Sequence, residues 1–236
     1  MNALSLLVAV ASKLDLHPDL SDRALGEQSP LPSWSYLRDL KDQYDVSTVL
    51  HAAGYFSVLH LKKTTQELLQ RIIELSQEAV DEFYVKYLSL QDQAGQDHVI
   101  SQPRVISYQE LLDCCQMKEG FSSFQDQCAQ RAYKDFLAGV GYQTIAIQQI
   151  QGYLNFLGEK APLVVIGFAP PYYPSMNCRS LPNTSLKIGS LVDDYRHYLE
   201  SKGLSLKVEE YFMGICDTSY CALERDLASY QVVLDS

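Results

Sequence analysis

The sequence predicts an α/β protein, in which a first part of mixed helix and strand precedes a part that contains a βαβ unit. Residues 49–61 alternate β-branched, aromatic and polar side chains, which indicates a strand. From residue 64 to residue 87, apolar side chains recur at helical spacing behind a capping box formed by Thr64 and Glu67. The unbroken apolar run 163–168 is typical of a strand in a parallel sheet that is covered on both faces.

The composition indicates a globular protein that does not bind polyanions. Apolar residues make up 47% of the 236 residues, which is enough to bury a core. Acidic residues number 29 against 19 Lys and Arg, which gives a formal net charge of -10. Because nucleic acids and anionic membranes bind basic surfaces, we expect neither as a partner. No stretch approaches the roughly 18 apolar residues that a membrane span requires.

The first 44 residues predict two helices joined by a loop. A helix is expected near the N-terminus, because apolar residues recur at helical spacing at Leu4, Leu7, Val8, Ala11 and Leu14. The alternative is a signal-peptide core that ends in Ala-x-Ala, but no Lys or Arg precedes it. Residues 19–32 are polar and predict a loop, and Ser33 is a candidate cap for a short helix over residues 34–44.

Between residues 91 and 158, the sequence predicts one short strand and three helices. Residues 99–106 suit a strand, and Pro103 places it at a sheet edge because proline has no N–H to donate. Ser107 and Glu110 form a second candidate capping box. Glycines divide the residues that follow into three helices. The composition changes near residue 107, which is the predicted domain boundary.

The predicted βαβ unit lies in the last third of the chain. It consists of strand 163–168, a helix over residues 185–202 that Gly203 ends, and a strand over residues 204–212. Ligands of open parallel sheets bind beyond the carboxyl ends of the strands. We therefore expect chemistry in the loops that follow these two strands.

The histidines and cysteines show no metal-binding pattern. None of the five histidines has a partner at the spacing of common metal sites, and none of the six cysteines forms a Cys-x-x-Cys pair. His51 and His60 lie in one predicted strand with opposite parity, so a structural hydrogen bond is favoured over catalysis. Reduced thiols indicate a cytoplasmic protein.

Two loop motifs are candidates for substrate contact. Tyr172 and Tyr173 lie in the proline-rich stretch 169–174, which suits either a structural turn or an aromatic substrate wall. Asp217 and Ser219 follow the second predicted strand, where they suit either a helix N-cap or a loop that contacts an anion or an amine.

Five motifs occur in an order that resembles one protein family. They are Asn2-Ala3 with Leu6-Leu7, Arg38-Asp39-Leu40-Lys41 with Tyr44-Asp45-Val46, Tyr55-Phe56, Ala169-Pro170-Pro171-Tyr172-Tyr173-Pro174, and Asp217 with Ser219-Tyr220. The order is similar to that of arginine-utilisation proteins of the family that contains acetylornithine deacetylase, succinyl-diaminopimelate desuccinylase and aminoacylase. The resemblance covers nearly the whole chain. It implies a three-layer zinc-binding α/β domain interrupted by a smaller α/β lid, which often dimerises.

This resemblance also assigns parts of the chain. Residues 1–107 correspond to the lid or dimerisation domain, and residues 108–236 to a helical segment plus the βαβ part of the catalytic domain. The family's zinc ligands, paired glutamates and lid histidine match nothing in this chain. The resemblance therefore implies neither a catalytic residue nor a metal ligand here, and zinc is expected in the complete parent enzyme.

The substrate contacts implied by the resemblance lie on loops. Lys62 or Lys63 lies near the lid position at which relatives place a cation for the substrate carboxylate, and the sequence does not choose between them. Asp217 and Ser219 correspond to the substrate-side loop. The candidate substrate-binding residues are Tyr172, Tyr173, Asp217, Ser219 and Lys62.

The sequence supports three functional hypotheses. In the first, the chain is part of a zinc-dependent hydrolase, a metallopeptidase or amidohydrolase, that acts on a small amino-acid-derived amide. In the second, it is a non-catalytic module that self-associates through a strand edge or helix face of its lid-like half. In the third, it is a metal-free enzyme that uses Asp217, Tyr172 and a histidine.

Overall fold

The computed structural model describes residues 1–41, 46–95, 100–177 and 188–215. Helices and strands are mixed along this part of the chain, which confirms the predicted α/β class. The helices are α1 (Ala3–Leu14), α2 (Thr65–Gln93), α3 (Tyr108–Gln116), α4 (Phe121–Leu137), α5 (Tyr142–Leu157) and α6 (Ile188–Ser201), with a 3-10 helix at Pro18–Leu20. The strands are β1 (Arg23–Ala24), β2 (Glu27–Gln28), β3 (Ser33–Asp39), β4 (Ala52–Ser57), β5 (Arg104–Ser107) and β6 (Leu163–Ile166).

The parallel strands β5 and β6 form a middle layer between two groups of helices. Val105 pairs with Val164, and Ile106 pairs with Val165. Successive side chains of a strand point to opposite faces of the sheet. Val105 and Val164 therefore pack on the core of α1 and α2, whereas Ile106 and Val165 pack on the core of α3, α4 and α5. This two-sided packing explains why the apolar run in β6 is unbroken.

The βαβ unit lies earlier in the chain than predicted, because α3, α4 and α5 connect β5 to its parallel neighbour β6. The prediction of a strand over residues 204–212 is wrong. Leu204 is 58% exposed, and within this described stretch the strand-like pairing is a single antiparallel bridge from Tyr211 to Asn177. The N–H of Tyr211 donates to the carboxylate of Glu27 rather than to a parallel strand.

Helices α1 and α2 pack against each other in the main core. The side-chain oxygen of Asn2 accepts two N–H groups of the first turn of α1, which caps the helix. Leu6, Val10 and Leu14 are buried against α2. The helix is as predicted, but its predicted buried face is partly wrong, since Val8 is 44% exposed.

Both predicted capping boxes are present. Thr64 Oγ1 accepts the N–H of Glu67 at 3.1 Å, and the Glu67 carboxylate accepts the N–H of Thr64 at 2.7 Å. Ser107 and Glu110 make the same exchange at the start of α3. Each box provides acceptors for backbone donors that the first turn of a helix leaves unpaired.

Replacement of Thr64 by alanine is expected to lower the free energy of unfolding by about 1 kcal/mol, because the Glu67 N–H loses its acceptor. Equilibrium unfolding in urea measures the change. Thr64→Ser keeps the hydroxyl and is the matched control, for which we expect wild-type stability. Equal stability of the alanine variant and the serine variant would contradict this prediction.

The prediction of a helix over residues 34–44 is wrong, because residues 33–39 form β3, which pairs antiparallel with β4. Trp34 provides the physical reason. Its ring lies 4.7 Å from that of Phe56, and its Nε1 donates to the carbonyl of Ala11 at 3.1 Å. These contacts with α1 and β4 stabilise an extended backbone that the local sequence does not require.

Helices α3, α4 and α5 confirm the three helices predicted after residue 107. Leu111, Cys115 and Tyr153 are buried between them. Burial raises the pKa of the Cys115 thiol, as expected of a structural cysteine rather than a nucleophile. β5 ends at residue 107, and the division of the chain into two domains at this point stays a prediction.

Candidate functional site

The loop of residues 58–63, between β4 and α2, forms one side of the candidate site. The N–H groups of residues 61, 62 and 63 all donate to Oδ2 of Asp22, at 2.8, 2.5 and 2.6 Å. Asp22 is buried, with 5% of its surface exposed. A buried carboxylate needs such donors, because burial without hydrogen bonds is costly for a charge. Asp22 therefore fixes the backbone of a loop that follows it by about 40 residues.

The carboxyl group of Asp22 ionises more readily than a solvated aspartate. Burial raises its pKa, but the backbone N–H groups of residues 63, 62, 61 and 23 outweigh burial and lower the pKa below its ordinary value of 3.8. The stabilisation from this carboxylate is fully present above the ordinary pKa. It is lost as the pH falls through the lower pKa of the folded state.

The two lysines of this loop differ in their contacts. Nζ of Lys63 donates to the carbonyls of Asp19 and Ser21, at 2.6 and 2.8 Å, and so holds the 3-10 helix. The side chain of Lys62 is exposed and extends from the backbone that Asp22 fixes. Lys62 is exposed, whereas two backbone contacts hold the Lys63 ammonium, and this difference supports Lys62 as the candidate cation.

The loop after β6, residues 167–177, lies against the loop of residues 58–63. Tyr172 Oη lies 3.2 Å from Nε2 of His60, and the two rings stack with their centroids 5.9 Å apart. Ser175 Oγ donates to the carbonyl of Leu61 at 2.8 Å. The structure therefore brings Tyr172 to the loop that carries Lys62. Tyr173 is half-buried in the same segment.

Residues 210–213 border the same region. The N–H of Phe212 donates to the carbonyl of Met176 at 3.2 Å, next to the bridge between Asn177 and Tyr211. Tyr211 is buried with Ala24 and Leu61 in a small apolar cluster. Residues 210–213 are thus adjacent in space to the loop after β6, although residues 204–212 do not form the predicted strand. Most of the loop expected after residue 212 lies outside the described residues.

Two of the sequence-predicted site residues, Asp217 and Ser219, lie outside the described residues, and their roles stay predictions. The structure adds two residues that the sequence did not favour. His60 lies in a loop rather than in the predicted strand 49–61, because β4 ends at Ser57. Asp22 lies in a stretch predicted only to be a polar loop. No local pattern marks Asp22, since its partners are 39 to 41 residues away.

The described residues contain no group of three or more His, Cys, Asp or Glu side chains that could hold a metal ion. The zinc implied by the resemblance therefore has no fitting set of ligands in this part of the chain, and we assign no step to it here.

No helix in the described ranges is both long and apolar enough to cross a membrane.

Comparisons with known proteins give distant relatives. No protein-family model matches the chain, and no solved structure matches it. Uncharacterized protein YqjN of Bacillus subtilis (strain 168) is 26% identical over 234 residues, which cover 95% of this chain and 41% of YqjN. Protein RocB of the same organism is 23% identical over 230 residues, which cover 91% of this chain and 38% of RocB. The chain is thus similar to both proteins over nearly all of its own length, and spans about two fifths of theirs.

Proposed function

We propose that this chain is part of a zinc-dependent amidohydrolase or peptidase of the arginine-utilisation type, and that it supplies the lid-like part and the substrate-side loops. The proposal rests chiefly on the contact between Tyr172 and His60, which joins the loop after β6 to the loop of Lys62. The similarity to RocB over 91% of the chain supports it. The substrate class is a small amide derived from an amino acid.

The chemistry of the site suits a substrate with a free carboxylate. Lys62 offers an exposed positive charge on a fixed backbone, and Tyr172 and His60 offer stacked aromatic surface at the same loop. Zinc bound by other residues of the complete enzyme would supply an activated water. The residues described here would bind and orient the substrate.

The direct test measures zinc content and hydrolysis of a panel of N-acetyl amino acids. It uses the longest natural protein that contains these residues, with the present 236-residue chain in parallel. We expect the longer protein to bind zinc and to hydrolyse at least one member of the panel, and the present chain to be inactive. A longer protein that is zinc-free, inactive and dimeric would overturn the proposal. It would instead support the alternative, a non-catalytic dimerisation module.

Replacement of Lys62 by alanine in the longer protein is expected to raise KM about tenfold, which corresponds to the loss of about 1.4 kcal/mol of substrate binding. We expect kcat to stay unchanged, because the lysine would contact the carboxylate equally in the ground state and the transition state. Lys63→Ala is the matched control. It should lower stability by about 1 kcal/mol through the lost contacts with Asp19 and Ser21, without raising KM. A rise in KM from Lys63→Ala alone would show that the choice of Lys62 is wrong.

A further inference from the structure

We infer that the hairpin of residues 22–29 is a clamp that positions two segments beside the candidate site, and that Asp22 is a positioning residue for Lys62. This clamp hairpin contains β1 and β2. One arm of the clamp is Asp22, which holds residues 61–63. The other arm is Glu27, which holds residues 210–211. The role in positioning Lys62 rests on the proposed function, whereas the clamp itself does not.

The arm formed by Asp22 acts on Lys62 directly. Its Oδ2 accepts the N–H of Lys62 and those of both neighbours, so the direction in which the Lys62 side chain leaves the backbone is set by the hairpin. On the opposite side of the same loop, Ser175 binds the carbonyl of Leu61. The backbone that carries Lys62 is therefore held from two directions, between the hairpin and the Tyr172 loop.

The arm formed by Glu27 acts on the segment that pairs with Asn177. The Glu27 carboxylate accepts the N–H of Glu210 through Oε1 and the N–H of Tyr211 through Oε2, the latter at 3.2 Å. Ala24, which pairs with Glu27 across the hairpin, lies in one buried apolar cluster with Leu61 and Tyr211. The clamp hairpin thus makes both polar and apolar contacts with the segments of residues 61–63 and 210–211.

The base of the hairpin is closed by Ser21 and Ser29. Ser29 Oγ accepts the N–H of Asp22 at 2.8 Å, the Ser29 N–H donates to the Asp22 carbonyl at 2.9 Å, and Ser21 Oγ donates to the Ser29 carbonyl at 2.6 Å. Ser29 is 2% exposed. These buried contacts hold the Asp22 backbone in place, so that its carboxylate presents a fixed acceptor to residues 61–63.

Backbone amide exchange of the 236-residue chain tests the clamp, with Asp22→Asn and Glu27→Gln as the variants. Asn has the size of Asp, but it carries no charge and replaces one acceptor oxygen with a donor. We expect exchange of the N–H groups of residues 61–63 to become about tenfold faster in Asp22→Asn, and those of residues 210–211 in Glu27→Gln. The N–H groups of β3 should be unaffected. Asp126→Asn, at an exposed position of α4, is the matched control.

Unchanged exchange at residues 61–63 in Asp22→Asn would overturn the clamp, whatever the activity of the protein. If Asp22→Asn does not fold, Glu27→Gln decides the question. Faster exchange confined to residues 210–211 would support the clamp, and unchanged exchange would contradict it.

The role of Asp22 in positioning Lys62 is tested by kinetics of the longer protein. We expect Asp22→Asn to raise KM several-fold for an N-acetyl amino acid, but not for its methyl ester, with kcat unchanged for both. Equal effects on acid and ester would show a purely structural role. Absence of hydrolysis by the wild-type protein would overturn the proposed function and the positioning role together. The exchange measurement would still decide the clamp.

Discussion

Replacement of Leu14 by alanine is expected to lower the free energy of unfolding by about 3 kcal/mol. Leu14 is fully buried, and it packs in the main core with Leu75 and Val80 of α2, which are equally inaccessible. The truncation removes apolar contacts and leaves a cavity that neighbouring side chains fill only in part. Urea unfolding monitored by circular dichroism measures the loss.

Val8→Ala is the matched control for this experiment. Val8 lies on the same helix but is 44% exposed, so its truncation should change stability by less than about 0.5 kcal/mol. Equal losses for Leu14→Ala and Val8→Ala would contradict the assignment of Leu6, Val10 and Leu14 as the buried face of α1.

Replacement of Gly54 by alanine is expected to lower the free energy of unfolding by about 3 kcal/mol, because the added methyl group has no space. Its Cβ would lie 2.7 Å from the Trp34 ring, 2.8 Å from Leu37 Cδ1 and 2.8 Å from the carbonyl oxygen of Tyr36. The backbone oxygen cannot move without disturbing the pairing of β3 with β4. Gly54 is thus required by the close approach of Trp34 rather than by an unusual backbone angle.

Gly152→Ala provides a control for which the expected change in the free energy of unfolding has the opposite sign. Gly152 lies inside α5, where an added Cβ would meet Phe124 and Cys128 at 3.8 and 3.9 Å, which are ordinary contact distances. Alanine favours a helix over glycine by up to about 1 kcal/mol, so this variant should be more stable than the wild type. Thermal unfolding of both variants measures the contrast. A Gly54→Ala protein as stable as Gly152→Ala would show that β3 and β4 are not packed as described.

Elements with strong local signals could be predicted from the sequence. The capping boxes at Thr64 and Ser107 mark the starts of α2 and α3, because the partners are only three residues apart. The apolar run of β6 marks a strand with two covered faces. The predictions of a helix over residues 34–44 and of a strand over residues 204–212 are wrong because distant partners decide the conformation of the described residues there. Trp34 binds Ala11, and the Tyr211 N–H binds Glu27.

In the candidate site too, local sequence patterns could be predicted and contacts between distant residues could not. The sequence drew attention to Tyr172 and to the pair Lys62 and Lys63, but it could not choose between the lysines. The Lys63 ammonium donates to the carbonyls of Asp19 and Ser21, whereas the Lys62 side chain is exposed, which supports Lys62 as the candidate. The pairing of Tyr172 with His60 spans 112 residues, and no local pattern reports such a contact. Sequence patterns thus predict which loops carry the candidate residues, and tertiary structure is needed to find which of these residues contact one another.

Under the proposed function, Lys62 recognises a substrate carboxylate, and Asp22 positions it on the loop that contacts Tyr172. The most direct measurement compares kcat/KM for an N-acetyl amino acid with kcat/KM for its methyl ester, in the longer natural protein and in its Lys62→Ala variant. We expect the wild type to prefer the free acid, and the preference to fall about tenfold in the variant, as for the loss of one charge-assisted contact. The same ratio in both proteins, or no hydrolysis by the zinc-loaded wild type, would contradict the claim.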